Sequence, residues 1–444
     1  MDEPARQAYR VYPYRWVVLA ATMGVNLTIQ MLWISYAPIT DDATRYYGVS
    51  TLAIGLLSMV FMIAFIPLSL PASWLIDRRG FRVAVGLGSV LMGVFGIARG
   101  LAGDDYTLAL LSTIAIACAQ PFLMNAWTTV PAKWFPETER ATAVGLVTLA
   151  SLVGTGVGMA LTPVLATSTS IASIQLLYGG LAAAAAAAFL LLAREQPATP
   201  PCAPGAAVRA LVLDGLKHAL RVRPFLLYLA VSFVGMGIFN GVTTWVEEIV
   251  RPRGFSSTDA GTTGALMLLG GILGALTMSA VSDRQGKRVR YVALGLALAI
   301  PGLLGLAFAQ SAWLLFGSAF LLGFFLVSIS PVGMQFAAEV AHPTPEGTSN
   351  GLVQLVGQAA VVFVFAMEAL RTSSGSFAPS LLLAAVMLAV GALVFSRLQD
   401  PTTEASLAPD EAGDASAQTT AADALAQAQT AEGMAAPTGP ATPL

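Results

Sequence analysis

The chain has 444 residues, of which 56% are hydrophobic and 11% are charged, and its formal net charge is −2. A soluble domain carries about 25% charged residues, so this composition excludes a protein that exposes its whole surface to water. We expect the lipid bilayer and a small-molecule substrate as partners, and no nucleic acid.

Apolar windows of roughly bilayer-spanning length follow one another along the chain. The first is too long for the core of a cleavable signal peptide, which has about 7–15 residues. The windows form two sets of six, at 15–38, 52–75, 82–102, 107–131, 141–166 and 171–193, then at 224–247, 258–282, 289–309, 312–335, 347–370 and 374–396. They predict an all-α membrane protein with twelve transmembrane helices.

The two sets repeat one sequence pattern. The segment ASWLIDRRGFR at Ala72–Arg82 returns as MSAVSDRQGKR at Met278–Arg288, 206 residues later. The same offset aligns Gly48 with Gly254. Internal repeats of this size are typical of transporters built from two similar bundles with a site between them. The sequence therefore predicts two pseudo-symmetric six-helix bundles.

Basic residues are distributed unequally between the two sides of the predicted bundles. With both termini in the cytoplasm, 18 of the 23 Lys and Arg residues lie in segments on the cytoplasmic side. The other five, at span ends on the outer side, are Arg45, Arg99, Arg251, Arg253 and Arg371. This is the positive-inside pattern, and it predicts a multi-pass plasma-membrane protein with both termini cytoplasmic.

Composition also divides the chain into segments. Residues 1–193 form the predicted N-terminal bundle and 224–397 the C-terminal bundle. The linker 194–223 begins Pro-rich and continues AVRALVLDGLKHALRVR, which fits either a helix on the inner membrane surface or a solvated connector. The tail 398–444 contains acidic residues but no Lys or Arg, and we predict that it is disordered and cytoplasmic.

The repeated loop segments are a candidate gate on the cytoplasmic side. Glycine permits a sharp turn there, and an acid at the end of the preceding helix needs a compensating Arg or helix N-terminus. The segments resemble the loop signature of the major facilitator superfamily, with Ser73 and Ser279 in place of its opening glycine. The resemblance implies a latch, whereas the alternative is that the Arg residues only satisfy the positive-inside pattern. The predicted gate residues are Asp77, Arg78, Gly80, Asp283, Arg284 and Gly286.

Polar and aromatic side chains inside the spans indicate where a substrate could bind. In two-bundle transporters the site lies near mid-membrane between the halves, and buried polar residues there are informative. The predicted site residues are Gln30 and Trp33 in the first span, Gln120 and Met124 in the fourth, Phe239 and Asn240 in the seventh and Gln358 in the eleventh.

This lining combines aromatic faces with uncharged amides. The ring of Trp33 can hold an ammonium group by a cation–π interaction worth roughly 0.5–2 kcal/mol. The amide carbonyls of Gln120 and Gln358 can accept hydrogen bonds from a hydroxyl or a cation. Two alternatives stay open, because Trp33 also fits an interfacial aromatic belt and Gln354 fits a bridge between helices as well as a cavity wall.

Charged side chains are missing from the centre of every predicted span. Proton-coupled transport needs a titratable group that meets both sides, and amides and indoles do not titrate. The sequence therefore favours facilitated diffusion, although an acid at a span end, such as Glu339, keeps proton coupling as an alternative. Because the sequence has no nucleophile–base pair, metal-ligand spacing or phosphate-binding loop, we expect no enzyme activity, metal or cofactor.

Several segments resemble the feline leukaemia virus subgroup C receptor-related transporters. They are WISY at Trp33–Tyr36, YYGVS at Tyr46–Ser50, the long run at Leu56–Arg82, AQPF at Ala119–Phe122, KWFP at Lys133–Pro136, GTGVGMALTPVL at Gly154–Leu165 and EGTSNGL at Glu346–Leu352. Members of that family transport choline and related amino alcohols, and some are tied to heme export. The resemblance implies that Trp33 is the cation–π platform, that Gln120 reads the substrate and that Gln358 lines the second-half wall.

One position departs from the family pattern. Asn240 stands where the family's choline transporters have a Tyr, so the aromatic cage loses a wall unless Phe239 or Trp245 replaces it. Taken together, the sequence predicts a monomeric facilitator of a small organic cation, such as choline or ethanolamine, that works by alternating access. The alternatives are a proton-coupled importer or exporter of another metabolite or drug, and a non-transporting receptor or sensor.

Overall fold

A computed structural model describes residues 10–199, 201, 218–341 and 346–400. Within these ranges the regular structure is helical, and twelve segments are long and apolar enough to cross a membrane. The predicted all-α membrane fold is therefore confirmed. Most of the linker (202–217) and of the tail (401–444) lies outside the described residues, so the predictions made for them stay predictions.

The first half contains six spans, of which the first and fourth are each built from two helices. Its helices are α1 (Arg15–Ile34), α2 (Thr40–Tyr47), α3 (Thr51–Arg79), α4 (Phe81–Leu101), α5 (Tyr106–Met124), α6 (Thr129–Trp134), α7 (Glu137–Ala166) and α8 (Ile171–Leu192). We call the side at which α1 begins and α3 ends the N-terminal side. The side that carries α2 is the opposite side.

The second half repeats this arrangement with different breaks. Its helices are α9 (Arg223–Thr244), α10 (Val246–Val250), α11 (Ser257–Gln285), α12 (Arg288–Phe308), α13 (Ala312–Val340), α14 (Glu346–Ala359), α15 (Val361–Ala369) and α16 (Ala378–Phe395). The short helix α10 follows the seventh span on the opposite side, and α14 and α15 together form the eleventh span.

Positions related by the repeat have the same local conformation in both halves. Gly48 and Gly254 both end a helical segment in the left-handed region, with φ of 65° and 87°. Ser50 and Ser256 then cap the next helix, each accepting a hydrogen bond from a backbone N–H three residues on. Because glycine tolerates positive φ and serine is a preferred N-cap, the 206-residue offset repeats turn and capping chemistry.

The two halves pack against each other through α7 and α11. Near the opposite side, a Cβ on Gly261 of α11 would lie 2.5 Å from the carbonyl oxygen of Met159 and 2.6 Å from Cγ of Pro163. Small residues let helix backbones approach where lipid gives no hydrophobic driving force. The halves are therefore in close backbone contact at this end.

Candidate functional site

Breaks in the helices fall next to predicted site residues. Helix α1 ends one residue after Trp33, and α14 ends one residue after Gln358. Met124 is the last residue of α5, and α9 ends four residues after Asn240. Interrupted spans expose backbone groups and are typical of substrate sites in transporters with two repeats.

Trp33 is held between the first two spans. Its indole Nε1–H donates to the carbonyl oxygen of Ser58 on α3 at 3.1 Å, and the Ser58 hydroxyl donates back to the Trp33 carbonyl at 3.3 Å. The side chain is only 6% exposed. An indole enclosed in this way does not lie in an interfacial belt, and its hydrogen-bonding edge is already occupied. Its aromatic face is what it can still offer to a ligand.

Gln120 contacts the first span at Gln30, which lies one helical turn before Trp33. Its Nε2–H donates to Oε1 of Gln30 at 3.4 Å. Gln120 is 5% exposed, and among the described residues its own Oε1 has no hydrogen-bond partner. A buried acceptor without a partner costs free energy unless a donor arrives. The Gln30–Gln120 pair therefore presents an acceptor that a ligand N–H or O–H group can satisfy.

Two neighbouring polar residues have structural roles instead. Trp127 donates its indole N–H to Oδ1 of Asn26 at 2.6 Å, and the Asn26 amide donates to the Thr22 carbonyl at 2.9 Å. Asn125 donates to Ser69 of α3. These bonds join the fourth span to the first and second spans, so Asn26 and Trp127 are not free to bind a substrate.

The predicted second-half residues are half-buried. Phe239 and Asn240 lie in the last turns of α9, and Gln354 and Gln358 lie in α14. In the described part of the chain the side chains of Asn240 and Gln358 form no hydrogen bond, and no described contact joins them to the first-half residues. Their share in one site with Trp33 stays a prediction, as does that of Met124.

Trp245 has a different place from the one considered for it. Its indole N–H donates to the Val364 carbonyl at 3.0 Å, and its ring lies 5.9 Å from that of Phe377. The ring also fills the space beside Gly55 of the first half, where a Cβ would lie 2.2 Å from it. Trp245 therefore closes the opposite side between the halves, and its fully buried ring is not available as a wall of an aromatic cage.

A polar network also joins the halves on the opposite side. The backbone N–H of Asp41 donates to Glu247 at 2.9 Å, and the Asp41 carboxylate forms an ion pair with Arg251. Glu247 also accepts from the Ser257 hydroxyl at 2.9 Å. Asp41 and Glu247 are equivalent positions in the repeat, 206 residues apart. The Asp41–Glu247 hydrogen bond and the Asp41–Arg251 ion pair join the halves in the described ranges, so the opposite side is closed, whereas the Ser257 bond orients Glu247 within the second half.

Burial changes the acidity of this network. Glu247 is 2% exposed, and burial raises its pKa to about 7 despite the two hydrogen bonds that favour the charged form. Burial also raises the pKa of Glu248, although Arg371 at 2.5 Å opposes the shift. Both glutamates lie near span ends in the sequence, and no role was predicted for them. The sequence does contain a signal for this network, because positions 41 and 247 are equivalent in the repeat and both carry an acid.

The charged residues of the predicted gate that the structure describes are exposed on the N-terminal side. Asp77 and Arg78 are exposed, and the Arg78 guanidinium lies 4.8 Å from the centre of the Trp74 ring. Gly286 has φ of 65° and ends α11, as predicted for the turn, and Arg284 is exposed. The side chain of Asp283 lies outside the described residues. The latch function of these residues therefore stays a prediction.

A carboxylate lies at the N-terminus of α4, beside the first of the two repeated loops. It belongs to Glu195, which is not among the predicted gate residues. It accepts hydrogen bonds from the backbone N–H groups of Phe81 at 3.2 Å and Arg82 at 2.8 Å and pairs with Lys133. An anion at a helix N-terminus is stabilised by unpaired N–H groups and the helix dipole. Gly80 has φ of 87°, and a Cβ there would lie 2.3 Å from Oε1 of Glu195.

Two charged residues at span ends have surroundings that the sequence did not predict. Glu339, considered for proton coupling, is paired with Arg288 at 3.4 Å and accepts from Gln335 at 2.9 Å, all within the second half. Arg99, counted among the outer basic residues at a span end, is instead 1% exposed inside the first bundle. Hydropathy and charge counting show where such a residue lies along the chain, but they do not show whether its side chain is buried inside the bundle.

Comparison with known proteins agrees with this architecture. The profile of the Major Facilitator Superfamily matches residues 18–257 and 247–431. A bacterial homolog of the human lysosomal transporter Spinster, solved in an inward-facing and unoccupied conformation, has a TM-score of 0.66 at 15% identity. The match covers 87% of this chain and 96% of that one. This likeness supports the fold alone.

Curated relatives are similar over most of their length. Solute carrier family 49 member A3 of Xenopus tropicalis is 29% identical over 84% of this chain and 81% of that protein. The choline/ethanolamine transporter flvcr2b of Danio rerio is 27% identical over 87% and 84%, and the choline/ethanolamine transporter FLVCR1 of Felis catus is 27% identical over 81% and 68%. The chain therefore belongs to the Major Facilitator Superfamily of transporters, and within it the chain is similar to the feline leukaemia virus subgroup C receptor-related transporters.

Proposed function

We propose that this transporter moves a small organic cation bearing a hydrogen-bond donor, such as choline or ethanolamine, by alternating access and without proton coupling. The proposed site is formed by Trp33, Gln30 and Gln120 in the first half. Residues Met124, Phe239, Asn240 and Gln358 complete it. The protein acts in the plasma membrane as a monomer, with the N-terminal side facing the cytoplasm, as the distribution of basic residues favours.

The observation that carries the proposal is the unpartnered Oε1 of Gln120, whose amide is bonded to Gln30, one helical turn before Trp33 in α1. The two groups suit the two ends of an amino alcohol. The ring favours an ammonium by a cation–π interaction, and the amide oxygen accepts from a hydroxyl or N–H group. Relatives named choline/ethanolamine transporters support the same class of substrate.

The closed opposite side supports the proposed transport cycle. Asp41, Glu247 and Arg251 join the halves there, while the loop residues on the N-terminal side are exposed. A form closed on one side is one of the two end states of alternating access. Release of these contacts and closure of the N-terminal side would produce the other end state.

Uptake of radiolabelled choline and ethanolamine into proteoliposomes tests the proposal. With equal pH inside and outside, both should enter down their gradient, and a protonophore should change neither the rate nor the final level. Trp33→Ala should lower uptake at least about tenfold, because a dry cation–π contact is worth roughly 2 kcal/mol. Gln120→Leu removes the acceptor at similar volume and should weaken binding of both compounds.

Trp313 provides the matched control, because its side chain is 87% exposed at the start of α13. Trp313→Ala should transport as the unchanged protein does. Equal losses in the Trp33 and Trp313 variants would show general damage rather than a lost site. Absence of choline and ethanolamine uptake in the unchanged protein would refute the proposed substrate class.

The buried Glu247 favours a second candidate, proton-coupled transport of another metabolite or drug. It is an acid with a pKa near neutral at the contact between the halves. Coupling would require substrate to accumulate against its gradient and this accumulation to collapse with a protonophore. Glu247→Gln would then abolish accumulation while leaving exchange of substrate across the membrane.

A further inference from the structure

Arg99 is a buried cation inside the first bundle, at the end of α1. Its guanidinium donates to the carbonyl oxygen of Leu32 at 3.0 Å and to the Ser35 hydroxyl at 3.4 Å. No carboxylate among the described residues pairs with it. The Leu32 carbonyl belongs to the last turn of α1, where the helix dipole is negative and carbonyls lack helical partners. Arg99 therefore caps the C-terminus of α1.

The second half has no counterpart to this cap. The positions 206 residues after Arg99 and Ser35 are Gly305 and Gly241. Helix α9 continues to Thr244, which is equivalent to Pro38 in the repeat, whereas α1 ends at Ile34, four residues earlier.

 These four positions, 35–38, are equivalent to the last turn of α9, and α2 and α10 then follow at equivalent places in the two halves. Helix α1 therefore ends one turn earlier than α9, at the point where Arg99 and the Ser35 hydroxyl both donate to the Leu32 carbonyl.

The same network reaches the closed contact between the halves. Arg99 lies 5.3 Å from the centre of the Tyr36 ring, and the Tyr36 and Tyr47 hydroxyls are hydrogen-bonded at 2.9 Å. Tyr47 is the last residue of α2. Asp41, in the first turn of that short helix, forms the contacts with the second half. Buried contacts thus run from the end of α1 to Tyr47, and the short helix α2 connects Tyr47 to Asp41 on the closed side.

The Trp33 carbonyl, bonded to Ser58, lies next in the chain to the Leu32 carbonyl that Arg99 holds. A change at either carbonyl would rotate the last turn of α1 and move the indole. We propose that Arg99 is a positioning residue that fixes Trp33 and α2 in one arrangement and so couples the substrate site to closure of the opposite side. The substrate-binding part of this inference rests on the proposed function, and the closure part does not.

The closure part is measured without any substrate. Spin labels at Leu52 and Thr258, exposed positions 206 residues apart on the two halves, report the distance across the opposite side by double electron–electron resonance. Cys118 and Cys202 are replaced by serine in the full-length protein. Arg99→Gln should raise the ratio of long-distance to short-distance populations about tenfold, the factor for one lost hydrogen bond to a charged group. Arg99→Lys keeps a cation at the end of α1 and should restore most of the short-distance population.

Two further variants separate positioning from general packing. Tyr36→Phe removes a single hydroxyl, should fold normally, and should also raise the long-distance population. Ser89→Ala, at a buried position earlier in α4, should change nothing. The inference would be overturned if the short-distance population stayed unchanged in both Arg99→Gln and Tyr36→Phe. It would also be overturned if Ser89→Ala shifted the populations as much as these two variants do.

Choline binding, followed by quenching of tryptophan fluorescence, tests the coupling. Choline should change the distance distribution of the unchanged protein, and in Arg99→Gln this response should be lost and the Kd should rise. A response of normal size in Arg99→Gln would refute the coupling. If the unchanged protein does not bind choline, the proposed substrate fails, and the substrate-free distances still decide the closure part.

Discussion

Acid on the opposite side should favour its closed form through Glu247. In the closed form, burial raises the pKa of this carboxyl from 4.5 to about 7. When the halves separate there, the group meets water and its pKa returns to the ordinary value of about 4.3–4.5. The protonated acid is therefore more stable in the closed form. This stabilisation grows as the pH falls from about 7 towards 4.5 and is lost as the pH rises through 7.

The size of the effect follows from these two pKa values. Lowering the pH from about 7.5 to 5.5 should shift the balance towards the closed form roughly 20-fold, or about 1.8 kcal/mol. Charged neighbours of Glu247 are Asp41, Asp42, Glu248 and Arg251. Glu247→Gln keeps a neutral side chain of the same shape at every pH, so it should hold the closed form and remove most of this dependence.

The distance between labels at Leu52 and Thr258 measures this balance across the pH range. The unchanged protein should lose its long-distance population on acidification, and Glu247→Gln should show little long-distance population at any pH. Glu339→Gln, at an acid paired on the N-terminal side, is the matched control and should behave as the unchanged protein. A pH response of equal size in Glu247→Gln would refute the reasoning.

Two glycine substitutions should separate closure from stability. Gly261→Ala places a Cβ 2.5 Å from the Met159 carbonyl oxygen, so it should wedge the halves apart and raise the long-distance population, at a cost of roughly 1–3 kcal/mol to the closed form. Gly145→Ala, with no atom within 4 Å, should leave the distances unchanged. Gly80→Ala forces an L-residue to φ of 87° and ψ of 166° against Glu195, and should lower the thermal midpoint by a few degrees while the closed form persists, since the strain is about 1–3 kcal/mol. Normal melting of Gly80→Ala would contradict this account of the turn.

The sequence predicts the architecture well because the determining signals are local or periodic. Apolar windows give the spans, and the repeated Gly and Ser positions mark turns and caps that the structure places at the same points of both halves. Gly80 and Gly286 are examples, since each has the positive φ that its position in the repeated loop requires. Such features depend on a few neighbouring residues, so one sequence suffices to find them.

The contacts between distant segments could not be predicted in the same way. Glu195 accepts from the backbone of Phe81, from which it is separated by 114 residues. The loop motif contains an acid of its own, Asp77, and therefore predicts that residue as the functional acid. The sequence predicts Arg99 to be an outer basic residue, whereas in the structure its guanidinium contacts the end of α1. Trp245 was considered for a substrate cage because its type fits one, whereas its partner across the halves is the small Gly55. Each of these roles is decided by packing between helices that the chain order does not reveal.

The meeting of Asp41 with Glu247 has a consequence for how the two halves can face each other. Any residue on the axis of a duplicated protein meets its own copy, and two carboxylates brought face to face repel. Here the two equivalent acids have different roles. The Asp41 side chain pairs with Arg251 and its backbone N–H donates, while the Glu247 carboxylate accepts that hydrogen bond. Two equivalent acids thus supply one donor and one acceptor, so they attract each other. Because a hydrogen bond has a direction, this contact fixes how the two halves face each other.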